Sequence, residues 1–179
     1  FVPSRSDYGA FDLSADRAED LLSRMDQEEA EDVRELLAYP EESAGGIMTN
    51  EYIAIPADLT AEGVIERIRA LSPNAESIYY LYVVEGGENE EKLLGVISLR
   101  DLIVAQPQER VRDFMASPVI RVLATDMQED VAGVLAKYNL LAVPVTDEKE
   151  HLLGIVTVDD AIDKVIPGAL KRRLPRVFG

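Results

Sequence analysis

The chain has 179 residues, 47% of them apolar, with 18 Lys or Arg against 34 Asp or Glu, a formal net charge of −16. That composition suits one or two small domains with a real core and excludes a disordered acidic tail. With no cysteine and one histidine, disulfide scaffolds, Cys-ligated zinc or iron–sulfur sites, thiol nucleophiles and multi-His metal sites are ruled out. No run reaches the ~18–20 apolar residues of a membrane-spanning helix, and the chain opens without a secretory leader pattern. Its first residue is Phe1 rather than Met, so a longer parent chain is expected.

In chain order, Asp16 to Met25 places Ala18, Leu21, Leu22 and Met25 on one helical face. Gln27 to Ala38 does the same with Ala30, Val33, Leu36 and Leu37, after a turn capped by Asp26 and before a stop at Pro40. Residues 1–38 therefore read as a helical segment. Residues 39–46, with Pro40 and the Gly45-Gly46 pair, read as a linker whose glycines interrupt regular structure.

From Ile47 the chain repeats itself. Ile47-Met48-Thr49 opens one unit and Phe114-Met115-Ala116 the other. Each is followed by a short strand (Tyr52 to Ile55, then Val119 to Leu123). Helices come next: Val64, Ile65, Ile68 and Leu71 line the first, and Met127, Val131, Val134, Leu135 and Tyr138 the second. A β pair then follows in each unit: Tyr80 to Val84 with Leu93 to Ser98, and Leu141 to Val145 with Leu152 to Thr157. Leu94-Gly95-Val96-Ile97-Ser98-Leu99-Arg100-Asp101 stands against Leu153-Gly154-Ile155-Val156-Thr157-Val158-Asp159-Asp160. The predicted fold is α/β (α+β): a helical segment, then two β-α-β-β-α units about a pseudo-twofold axis, since one copy cannot cover both faces of its sheet. The boundaries are 1–38, 39–46, 47–113, 114–166 and a basic tail at 167–179.

Two candidate sites follow from residue chemistry. Ser98 with Asp101, and Thr157 with Asp160, put a hydroxyl at a strand end and a carboxylate three residues on, at a helix mouth. Such an Asp can accept from ribose hydroxyls, while the helix start offers N–H groups to phosphate. Arg100 can pair with phosphate and Tyr80 can stack on a base. The same Ser/Thr–Asp pairs are equally readable as helix caps. Asp159, Asp160 and Asp163 cluster at one helix start, with Glu129 on the preceding helix. Hard oxygen donors of this kind suit Mg²⁺, which keeps several waters, and a solvated acidic face is the alternative. His151 follows a polar turn with no nucleophile motif near it, so no catalytic role is expected. The basic tail (Lys171, Arg172, Arg173, Arg176) suits an anionic membrane surface or plain solvent, and the acidic body argues against nucleic acid.

The duplicated unit ending in Leu-Gly-apolar-apolar-Ser/Thr-x-x-Asp resembles a CBS-domain pair, or Bateman module, over Ile47 to Ile166. Tyr39 to Thr49, Ser77 to Val84 and Ser98 to Ile103 are similar to the corresponding stretches of MgtE-type magnesium transporters. The resemblance implies a preceding helical N domain, a following membrane channel in the same longer chain, a cytoplasmic location and a homodimer formed through the CBS pair. It also implies regulation by Mg²⁺, with an adenine nucleotide such as ATP or AMP as a second ligand. Glu129, Asp160 and Asp163 match positions that take part in Mg²⁺ binding in that family. Met127 stands where relatives commonly carry Asp, and Asn139-Leu140 where they carry Asp-Phe. The alternative is a stand-alone CBS-pair protein, nucleotide-responsive or purely a structural dimerisation module.

Overall fold

A computed structural model describes residues 23–26, 39–71, 79–87 and 91–165, with the side chains of 164 and 165 excepted. Residues 1–22 and 27–38, which hold most of the helices predicted before Tyr39, and the tail beyond Val165 lie outside the described residues; Ser23 to Met25, predicted as the end of a helix, form a turn. Among the described residues the order is α1 (Ala44–Ile47), β1 (Ile53–Pro56), α2 (Ala61–Leu71), β2 (Tyr80–Glu85), β3 (Lys92–Ser98), α3 (Leu99–Val104), α4 (Val111–Phe114), β4 (Val122–Leu123), α5 (Gln128–Tyr138), β5 (Ala142–Thr146), β6 (Leu152–Thr157) and α6 (Val158–Val165).

The strands form two three-stranded sheets, β1-β2-β3 and β4-β5-β6. In each, the first pair is parallel across a helical crossover and the second is an antiparallel hairpin. Both hairpins carry a register shift at the same place in the repeat, at Val83/Val84 and at Val145/Thr146. The chain belongs to the predicted α/β class, and the duplication extends down to this irregularity.

Each sheet has its own core. Ile55, Val64, Leu81, Val83, Ile97 and Val111 are fully buried in the first repeat, and Val131, Leu135, Val143, Val145 and Val156 in the second. A third cluster (Tyr82, Val84, Leu93, Ala142, Leu152 and Ile155) draws on both sheets. Tyr82 is 1% exposed and packs edge-on to Tyr52, with ring centroids 6.1 Å apart. Its hydroxyl has no hydrogen-bond partner. Burial, and secondarily the neighbouring Tyr80, raises its pKa far above the usual phenol range.

Residues 39–46 do not behave as a linker. Ser43 caps α1, its Oγ accepting from the Gly46 N–H at 3.2 Å, so the Gly45-Gly46 pair lies within a helix instead of interrupting one. The reason is tertiary. Ala44, Ile47 and Met48 are buried in the core of the second repeat, with Val122, Ala124, Val131 and Val156. Gly45 lies under the ring of Tyr39, leaving no room for a side chain. The predicted strand 119–123 is also shorter than its pattern suggested, since only Val122 and Leu123 pair with β5.

The lead-in of each repeat crosses to the other sheet. Thr49 donates to the Ile155 carbonyl at 2.8 Å and accepts from the Ile155 N–H at 2.9 Å. Ala116 exchanges the same two bonds with Val96, at 2.9 and 3.1 Å. Met48 lies over Gly154 and Met115 over Gly95. A methyl group on Gly154 would sit 2.8 Å from the Thr49 carbonyl oxygen, whereas the atoms nearest one on Gly95 are those of the Met115 side chain, with Sδ at 2.5 Å. Backbone yields less readily than a methionine. Gly154→Ala should therefore destabilise by about 1–3 kcal/mol and Gly95→Ala by less, as read from paired urea melts. In the same assay Tyr82→Phe should match or exceed the parent by about 1 kcal/mol, because it removes a buried hydroxyl that makes no bond.

Candidate functional site

The end of the first sheet gathers the predicted nucleotide residues. Tyr80 and Ser98 are directly paired across β2 and β3, so ring and hydroxyl share one sheet end. Ser98 terminates β3 and caps α3, which carries Arg100 and Asp101 in its first turn. The Ser98 hydroxyl donates to Asp101 Oδ2 at 2.6 Å and accepts from the Asp101 N–H at 3.1 Å, and the Ser98 N–H donates to Oδ2 at 3.2 Å. This is a full capping box. Arg100 and Asp101 are exposed and border a groove with Val104, Ala105, Glu109 and Phe114.

The second repeat builds the same corner with different charge. Thr157 Oγ1 donates to Asp160 Oδ2 at 2.7 Å and accepts from the Asp160 N–H at 3.3 Å. Ala142, paired with Thr157, takes the place that Tyr80 has beside Ser98. Tyr80 packs against the inter-sheet cluster that contains Ala142, so the two strand ends face one shared apolar layer. Where the first corner has Arg100 before its Asp, the second has Asp159. Both corners thus use their hydroxyl–carboxylate pair as a helix cap, and in each pair the recorded hydrogen bonds fall on one carboxylate oxygen, Oδ2.

Glu129 is exposed in the first turn of α5; Asp159 and Asp163 are exposed on α6, and Asp160 is half-buried. Helices α5 and α6 pack against each other. Even so, no three His, Cys, Asp or Glu side chains among the described residues converge on one point. The donors are of the right kind for Mg²⁺, all carboxylate oxygen, but within one copy they are too dispersed to form a closed shell.

His151 packs against the turn that precedes it. Its Nδ1 lies 2.8 Å from Asp147 Oδ2. Asp147 Oδ1 accepts from the Lys149 and His151 N–H groups, at 2.8 Å each. The carboxylate thus organises the β5–β6 turn, in which Glu150 takes a left-handed φ of 73°. An Asp four residues before a His, across a polar turn, was the available sequence signal. The same turn joins the repeats: Lys92 of the first pairs with Glu150 at 3.2 Å and bridges His151, while Arg121 of the second repeat holds Glu150 from its own side at 2.7 Å. Desolvation pushes the Asp147 pKa up, but the backbone and side-chain bonds from His151, its charge and the Lys149 N–H together hold it below the ordinary aspartate range.

The CBS domain family matches residues 44–107 and 111–166, and the chain belongs to that family as a tandem CBS pair. Among curated relatives, the magnesium transporter MgtE of Bacillus subtilis is 46% identical over 146 residues, 81% of this chain and 32% of the relative. Among solved structures, the soluble part of a magnesium transporter aligns with a TM-score of 0.78 at 43% identity, over 91% of this chain and 60% of that one. The cytosolic domain of the Mg²⁺ channel MgtE, in complex with ATP, aligns with a TM-score of 0.76 at 44% identity, over 82% and 58%. The chain thus spans about a third of its curated relative and matches the cytosolic part of such transporters, in agreement with the expected cytoplasmic location. No helix among the described residues is long and apolar enough to cross a membrane.

A held carboxylate must give up these bonds to take a proton. The Asp147 contribution is therefore complete above the unfolded value of about 3.9 and fades as pH falls through the lower folded value. Asp147→Ala should lower stability by about 1–2 kcal/mol at neutral pH. In melts run down the acid limb, the gap to the parent should narrow progressively as pH falls below about 4.

Proposed function

We propose that this chain is the regulatory CBS pair of an MgtE-type magnesium transporter, sensing Mg²⁺ and an adenine nucleotide to control ion transport by a channel domain in the same longer chain. The match to an MgtE cytosolic domain through both site-bearing repeats carries this reading. The charge difference between the repeats supports a division of labour. Arg100, with Tyr80, Ser98 and Asp101, suits the phosphates, base and ribose of a nucleotide such as ATP or AMP. Thr157 and Asp160 complete the nucleotide set from the second repeat. Asp159, Asp160 and Asp163, with Glu129, suit a cation.

Because these carboxylates do not close a shell in one copy, Mg²⁺ would keep several waters or bridge to a second copy or a preceding domain. Bound across facing acidic surfaces, the ion favours the compact state by offsetting their repulsion. A homodimer fits the same picture: Ile103 and Val104 on α3 are 80% and 72% exposed, an apolar surface suited to a second copy. The basic tail beyond residue 166 would then lie toward the membrane surface. The boundaries 1–38, 47–113, 114–166 and 167–179 complete this proposal, with the first segment as the end of a helical N domain and residues 39–46 as a packed lead-in instead of a linker. On this reading the chain is a binding module and not an enzyme.

Thermal melts with and without millimolar Mg²⁺, against K⁺ at matched ionic strength, test the cation half. Mg²⁺ should raise Tm by about 2–5 °C beyond the K⁺ control, and Asp160→Asn or Asp163→Asn should remove most of that rise. Equal shifts in both salts would leave a nucleotide-responsive or purely structural dimer. For the nucleotide half, calorimetric titration with ATP should give binding that Arg100→Gln weakens about tenfold.

A further inference from the structure

The lead-in Tyr39–Thr49 adjoins the first repeat in sequence and the second repeat in space. Glu42 accepts from the Gln128 N–H at 2.9 Å, the Ala44 N–H donates to Asp126 at 2.7 Å, and the Gly45 N–H donates to Ala124 at 2.9 Å. Ser43 forms a bridge with Met127, and Thr49 exchanges its two bonds with Ile155. Ala44 is 0% and Ile47 8% exposed, both within the core that contains Val131, Leu135 and Val143. By contrast, the core of the first repeat is continuous in the chain, running from Ile53 to Val111, with Phe114 and Met115 packed against it.

We infer that residues 39–49 belong energetically to the second repeat, which makes the first repeat an insert within it. Helix α1 then delivers to the start of α5 whatever binding or movement acts on the chain ahead of Tyr39. All three backbone bonds that tie residues 42–45 to the second repeat end at Ala124 to Gln128, the turn that launches α5 and places Glu129. A shift of the lead-in therefore reaches that turn directly, while the first repeat, enclosed around its own core, is bypassed. This inference does not depend on which ligand the pair binds.

Amide hydrogen exchange on the full chain tests it. Ile47→Ala opens a cavity in the second core, so exchange over 128–138 and 142–146 should quicken about tenfold or more, with less than about twofold change over 53–56 and 80–85. Val111→Ala, the mirror variant, should quicken 53–56 and 80–85 instead. Ser43→Ala, which removes the α1 cap, should quicken amides 127–131 and leave the first repeat unchanged. If Ile47→Ala does not fold, Ile47→Val gives the same pattern at smaller amplitude. Faster exchange in the first repeat on changing Ile47, or equal acceleration in both repeats, overturns the inference.

Discussion

At Gly95 and Gly154 a crossing chain passes so close to a strand that a methyl group would strike it. That closeness lets Thr49 and Ala116 each form a reciprocal pair of backbone bonds with the edge strand of the other repeat, and lets Met48 and Met115 lie over the glycines as packing. Strand edges that would otherwise be open are thereby covered by the chain's own lead-ins. The repeats are not two globules joined by a tether, since each edge strand is completed by a segment from across the pseudo-twofold axis. The inter-sheet layer around Tyr82 and the Lys92–Glu150 ion pair then join two bodies already held in register.

On this frame the two strand ends are free to diverge. A helix cap needs only a hydroxyl and a carboxylate three residues apart, and both corners retain it. The residue just before the carboxylate is not required by the cap, and there one repeat carries Arg100 and the other Asp159. Duplication supplied two equivalent, structurally secured helix starts, and a single position in each sets the sign of the charge it presents. A cap and a ligand site are not competing accounts of the same residues. The cap holds the carboxylate in place through Oδ2, and a carboxylate has two oxygens.

Much of this was legible in the sequence because a repeat reports each element twice. The hairpins, the long helices α2 and α5, and the Ser/Thr-x-x-Asp corners fall where periodicity placed them. The lead-in was misread for a definite reason. Gly45-Gly46 opposes helix by local propensity, and only burial against a segment roughly 80 residues away, with Tyr39 over Gly45, overrides it. The role of Asp147 was hidden in a polar turn that looked like solvent-exposed punctuation. The candidate cation residues lie on two helices that pack against each other, but a list of acids says nothing of convergence, which depends on helix packing and on surfaces beyond one copy.

The placement of α1 also dictates an order of events while the chain is being made. The first repeat carries its whole core between residues 53 and 115 and can close as soon as that stretch has emerged. Ile47 and Met48, although synthesised earlier, have nowhere to pack until β4, α5 and β6 exist. Thr49 must wait for Ile155, roughly a hundred residues later, which at about 5–20 residues per second is on the order of ten seconds. For that interval the apolar lead-in stands uncovered beside a finished neighbour. The lead-in, made early, is among the last segments to be buried, and its docking completes the second repeat.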